Sequence, residues 1–201
     1  MKRALGAKAI EFYRRAAALD PSDFELWNKM AYLQLTLFRS PNEAHPLLVH
    51  SIDLFPGSHT AYGLLGDTLT QKGAALSNSG EREAFIRSGV TNYQEAAKLA
   101  RSNTNGANSR YFHGYNVALG KSYAKLGEPR WAIGAYRRAL RVCPPTERWM
   151  HEETLARLYF SVEDETNAAL HVKRAIESAP TDKRAALTNL RDQILARPGD
   201  R

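Results

Sequence analysis

Between Tyr115 and Pro144 the chain places Gly120, Tyr123, Gly127, Ala132, Tyr136, Ala139 and Pro144 at offsets suited to two helices packed closely as a hairpin. Gly120, Ala132 and Ala139 remove the side chains that would hold two helix backbones apart, and Tyr123 and Tyr136 are large enough to fill the gaps between successive hairpins. Gly127 fits the left-handed residue that ends a first helix, and Pro144 stops a second. The pattern recurs along the chain with a period of about 34 residues, which constrains the architecture before any other signal is considered.

Four other segments carry the pattern in part. Ala9, Tyr13, Ala16 and Pro21 match a second helix (helix B) with no first helix (helix A) before it. Trp27, Met30 and Ala31 match a helix A, and Ala44, Leu48 and Pro56 follow in helix B one residue late, with Gln34 where an aromatic is expected. Tyr62, Leu65, Gly66, Leu69 and Gly73 lead through an insertion to Gly89, Tyr93 and Ala96, and Arg101 replaces the closing proline. Leu155, Ala156, Tyr159, Ala168, Ala175 and Pro180 form the last unit, with Val172 in the aromatic position.

On these residues the chain resembles the tetratricopeptide-repeat family over roughly residues 5 to 181. The resemblance implies an all-α fold, a right-handed α-solenoid of antiparallel helix hairpins closed by a C-terminal capping helix. The expected divisions of this single domain are a partial repeat at 1–21, repeats at 22–57, 58–101, 111–145 and 147–181, and a cap at 182–197. In the cap, Leu187, Leu190 and Ile194 share one face while Lys183, Arg184 and Arg191 lie largely elsewhere. The last five residues, 197–201, read as a frayed tail.

Two departures from the repeat are expected to show. Ala74 to Ala84 is extra sequence with the breaker run Ser77-Asn78-Ser79-Gly80 at its centre. Ala74, Ala75 and Leu76 can extend helix A and Glu81 to Ile86 can extend helix B backwards, giving a longer hairpin. Ser102 to Arg110, rich in Asn, Ser, Thr and Gly, reads as an irregular connection. At the front, a helix B over residues 4–19 would leave Leu5, Ile10, Phe12, Tyr13 and Ala17 without the usual helix A. Either an upstream segment or another molecule is expected to cover that face, and Ile10 and Tyr13 are the residues expected to dock a partner.

Composition excludes several classes. With 43% hydrophobic and 24% charged residues in 201, the chain can bury a core. Its longest apolar run, near Ala31 to Phe38, is broken by Gln34 and Thr36 and falls short of the roughly 20 residues that span a bilayer. The basic start Met1-Lys2-Arg3 is followed by Lys8 and Glu11, which interrupt any signal-peptide core. The lone Cys143 excludes an internal disulfide and reads as a packed small hydrophobe, compatible with a reducing, cytoplasmic setting and with peripheral association with a larger or membrane-bound complex.

Family resemblance also implies a function: a non-catalytic scaffold that takes a peptide or protein subunit in the groove lined by the A helices. The positions carried over are Asn28 and Tyr32, Asp67 and Gln71, Lys121 and Lys125, and Glu153 and Arg157. Their mixed signs suit a polar peptide held by paired charges, with Tyr32 and Phe160 as apolar contacts. A carboxylate clamp of the chaperone-binding kind would need Lys and Asn in the first helix A, Asn in the second, and Lys with Arg in the third. This chain supplies Asn28, Leu64 and Lys121 in nearby places, so that pattern fails.

The formal charge of +7 and the run Arg130, Arg137, Arg138, Arg141 and Arg148 support an alternative, electrostatic binding of nucleic acid or an anionic membrane surface. No aromatic is interleaved with these arginines to stack bases, so nucleic acid is the weaker expectation. No cofactor, metal site or catalytic residue is expected. The histidines at 45, 50, 59, 113, 151 and 171 are scattered, with no helical i, i+4 pair. His59 and His113 occupy equivalent positions at the entrance to helix A, a repeat echo rather than a ligand set. Glu152 and Glu153 read as helix-start charges.

Overall fold

A computed structural model of the chain describes residues 1–102 and 107–196. Among these residues there are ten α-helices. They fall into two compact units, Met1–Asn108 and Ser109–Arg201. In the first are α1 (Lys2–Leu19), α2 (Phe24–Leu33), α3 (Pro41–Leu54), α4 (His59–Ala74) and α5 (Ser79–Ser102); α6 (Ala107–Lys125), α7 (Pro129–Leu140), α8 (Arg148–Ser161), α9 (Glu165–Ser178) and α10 (Thr181–Ala196) follow. The A helices are α2, α4, α6 and α8, each followed by its B helix, with α1 before the first pair and α10 after the last.

Within each unit the small and aromatic positions interlock as the spacing predicts. A Cβ placed on Gly66 would lie 2.6 Å from the Tyr93 ring, and one on Gly120 would lie 2.5 Å from the Tyr136 ring. Tyr93 and Tyr136 therefore each rest on the bare backbone of their own A helix. Tyr93, Tyr123 and Tyr136 are all buried. Ala31, Leu35, Ala44, Leu48 and Leu65 belong to the first core, and Tyr136, Ile133, Leu155, Ala168, Val172, Leu190 and Ile194 to the second.

Three hairpins turn from helix A to helix B through one left-handed residue: Arg39 (φ 56°), Gly127 (φ 70°) and Glu163 (φ 62°). After the last two, the next amide reaches back five residues, Glu128 to the Tyr123 carbonyl at 2.9 Å and Asp164 to that of Tyr159 at 3.0 Å. The corresponding bond after Arg39 spans six, from Ser40 to Gln34 at 2.9 Å. There α2 widens into a π-helical turn over Gln34–Phe38. A π turn closes a wider ring, so it takes up the one residue by which this repeat is long. Left-handed backbone costs a residue with a Cβ roughly 1–2 kcal/mol. Net of glycine's greater unfolded-state entropy, Glu163→Gly and Arg39→Gly are each expected to raise stability by roughly 0.5–1 kcal/mol in urea titration, and Gly127→Ala to lower it similarly.

The first insertion extends one helix only. α4 stops at Ala74, whereas α5 starts at Ser79 and runs for 24 residues. Asn78 caps its start by accepting from the amides of Gly80 and Glu81, and Arg82 folds back to donate to the Leu76 and Ser77 carbonyls. Phe85 packs on the first core, with the Lys72 ammonium 5.5 Å from its ring centre. In the second insertion, residues 103–106 lie outside the described residues, and α6 begins at Ala107, four residues before the expected repeat boundary. The tail at 197–201 also lies outside them.

At the ends, α10 buries Leu187, Leu190 and Ile194 as expected of a cap. Arg184 donates to the Ala179 carbonyl at 3.1 Å, satisfying backbone at the end of α9. The front helix differs from expectation. Ile10 and Ala17 are each only 6% exposed because α1 packs on α2 and the π turn, and Gly6 receives the Leu37 side chain. Leu5 and Phe12 remain exposed, and Tyr13 is half-buried. Among the described residues, no helix is long and apolar enough to cross a membrane.

Candidate functional site

The expected groove residues separate into three kinds. Asn28 is not available to a ligand: it is 6% exposed, and its Nδ2 donates to Ser58 Oγ at 3.3 Å, tying α2 to the start of α4. The A helices of neighbouring repeats lie side by side there, and a residue on the seam is enclosed rather than displayed. Asp67 is exposed, but one oxygen accepts from the Tyr93 hydroxyl at 2.7 Å. Burial, with the nearby Asp67 carboxylate, raises the Tyr93 hydroxyl pKa well above its ordinary value, so it remains a donor. Arg157 is exposed and bound to half-buried Glu153 one turn earlier through contacts of 2.8 and 3.0 Å. Tyr32, Gln71, Lys121 and Lys125 face solvent.

Two histidines that look unrelated in sequence meet in the second unit. His113 on α6 and His151 on α8 are each 7% exposed, and their Nε2 atoms lie 2.8 Å apart. Because α6 begins at Ala107, His113 is inside the helix rather than at its entrance. Glu147, in the short turn before α8, places Oε2 3.9 Å from His113 Nε2. Burial lowers the pKa of both imidazoles; for His151 the adjacent His113 and the Lys121 charge add to this, against Glu147 and Glu152. A spacing near one repeat length was the available signal, since it brings residues of adjacent A helices together.

Glu152 is likewise not a surface charge. It is 0% exposed, and its Oε2 lies 2.6 Å from His171 Nδ1. A carboxylate can only accept, so an ionised Glu152 pairs with the Nδ1–H tautomer of the ring. Tyr159 stacks on the His171 ring with centroids 5.2 Å apart, and Arg148 Nε stands 3.7 Å from Glu152 Oε1.

Above this pair is a cleft of about 380 Å³ between α7 and α9, lined in part by Arg137, Arg141, Arg148 and Arg174. The expected arginine strip is thus divided. Arg138 turns away to donate to Asn116 Oδ1 at 2.8 Å, and Arg130 lies beside exposed Trp131 at another opening. Arg174 comes from α9, and the spacing along α7 alone gives no sign of it.

The arrangement of helix pairs is that of the tetratricopeptide-repeat fold. The chain is similar to MamA at 21% identity, covering 92% of this chain and 94% of that one, with a TM-score of 0.70. It is similar to TTC0263, a thermophilic TPR protein in Thermus thermophilus, at 21% identity over 92% and 88% of the two chains, with a TM-score of 0.61. For BtubC (BKLC) from P. vanneervenii the values are 16% identity, 95% and 80% coverage, and 0.65. At these identities the likeness is one of fold. No protein-family profile matches the sequence, and no curated protein matches it.

Proposed function

We propose that the protein is a non-catalytic scaffold that binds a polar peptide or protein segment along its A helices. What carries this reading is the division of labour within each hairpin. Small and aromatic side chains are consumed by helix packing, while Tyr32, Gln71, Lys121, Lys125 and Arg157 stay exposed on the A helices. Tyr32 offers an apolar platform, and the lysines and Arg157 offer charge to an acidic side chain or a terminal carboxylate. A second docking face lies on α1 around Tyr13, where Leu5 and Phe12 add exposed apolar surface, while Ile10 is spent on packing within the fold.

Fluorescence anisotropy with a panel of labelled mixed-charge and acidic peptides tests this. Lys121→Glu combined with Arg157→Glu should weaken the best binder at least tenfold, about 1.4 kcal/mol, with far-ultraviolet circular dichroism unchanged. Wild-type affinity in that variant overturns the groove reading. The arginine cleft favours one second reading, electrostatic capture of a polyanion. In that case a single-stranded oligonucleotide or anionic vesicles bind instead, affinity falls steeply between low and physiological salt, and Arg141→Glu abolishes it.

A further inference from the structure

We infer that His113, His151 and Glu147 form a site for a divalent transition-metal ion of the zinc class, independent of peptide binding on the A helices. One ligand atom from each residue lies within 4.8 Å of the other two. The residues come from three places, α6, the turn before α8, and α8 itself, so their convergence is a product of the fold and not of local sequence.

A hydrogen bond between two neutral imidazoles accounts for the 2.8 Å separation of the ring nitrogens. It gives no reason for a carboxylate at the same point. Two imidazole nitrogens and one carboxylate oxygen are a donor set that suits zinc, and three protein ligands leave a further position open to water or to an acidic group of a ligand. Burial favours the neutral rings, whose lone pairs are what a metal needs. Zinc bound at about 2.0–2.2 Å in tetrahedral geometry would set its ligands about 3.3 Å apart. The two nitrogens would have to part by about half an ångström, and Glu147, 3.9 Å from His113 Nε2 and within 4.8 Å of both rings' ligand atoms, to close by at least as much. Glu147 has that freedom, because its side chain is 44% exposed on a three-residue turn. The same exposure gives the ion a way in. Lys121, whose charge acts on His151, opposes a cation and limits the affinity.

The test uses the full chain with zinc and cobalt as the probes. Isothermal titration should show one equivalent of zinc bound above the background of surface histidines, and cobalt should give the visible absorption of a low-coordinate nitrogen and oxygen site. Glu147→Gln sits on the surface and leaves the core intact; it should weaken binding at least tenfold. His113→Asn should remove the cobalt band, with thermal melting confirming that the variant is folded. No zinc equivalent in the wild type overturns the proposal. So does equal affinity in wild type and Glu147→Gln, or a cobalt spectrum unchanged in folded His113→Asn.

Discussion

Tyr136→Ala is expected to destabilise the second unit by about 3–5 kcal/mol, measured as a loss in urea-induced unfolding. The ring is 6% exposed and lies against the bare backbone of Gly120, where no other side chain can replace it. Gly120→Ala should cost about 1–3 kcal/mol in the wild type, because its Cβ would come within 2.5 Å of a ring held in the core. With Tyr136→Ala already present the obstruction is gone, and the same substitution should be neutral or gain up to about 1 kcal/mol of helix propensity. The measurement that decides is the double-mutant cycle. If the two changes add, the ring and the glycine do not interlock and the explanation of the repeat signature is wrong.

The second large effect is expected at the buried acid. Replacing His171 with alanine leaves Glu152, 0% exposed, with Arg148 at 3.7 Å as its sole cationic partner among the described residues. Breaking one partner from a buried pair typically costs about 3–5 kcal/mol. Glu152→Gln keeps an acceptor for His171 Nδ1 and should cost considerably less. Replacing both by leucine should recover most of the loss, since two apolar groups in place of a buried pair are often near neutral. Urea titration of the three variants checks the order; a His171→Ala protein as stable as wild type would show that the carboxylate reaches water in solution.

Helix pairing was legible because its signals are local and steric. Gly120 with Tyr136, Gly127 before Glu128 and Pro144 after α7 each act through the backbone next to them, and the described hairpins fall where those residues put them. Binding positions were less legible because they depend on what neighbouring hairpins do. Asn28 has the sequence environment of a groove residue, yet the seam with Ser58 encloses it. Ile10 sits on the apolar side of the first helix, which reads as a docking face, yet α2 and the π turn cover it. Glu152 and Glu153 are consecutive acids; the first is sealed against His171 and the second faces Arg157, a difference set wholly by which side of α8 meets α9. His113 and His151 meet only because two A helices adjoin, and Arg174 reaches the arginine cleft from a helix other than the one carrying Arg137 and Arg141.

The widened turn at Gln34–Phe38 has a consequence for how such a protein changes over generations. A regular helix that gains one amino acid swings every later side chain by about 100°, which would scramble all the contacts downstream. Here the surplus is swallowed inside a single loop of helix, and Ala44 and Leu48 still reach the interior. Drift in gene length within one hairpin can thus be silent for the next, so an array of this kind can lose its regular spacing on paper while its shape persists.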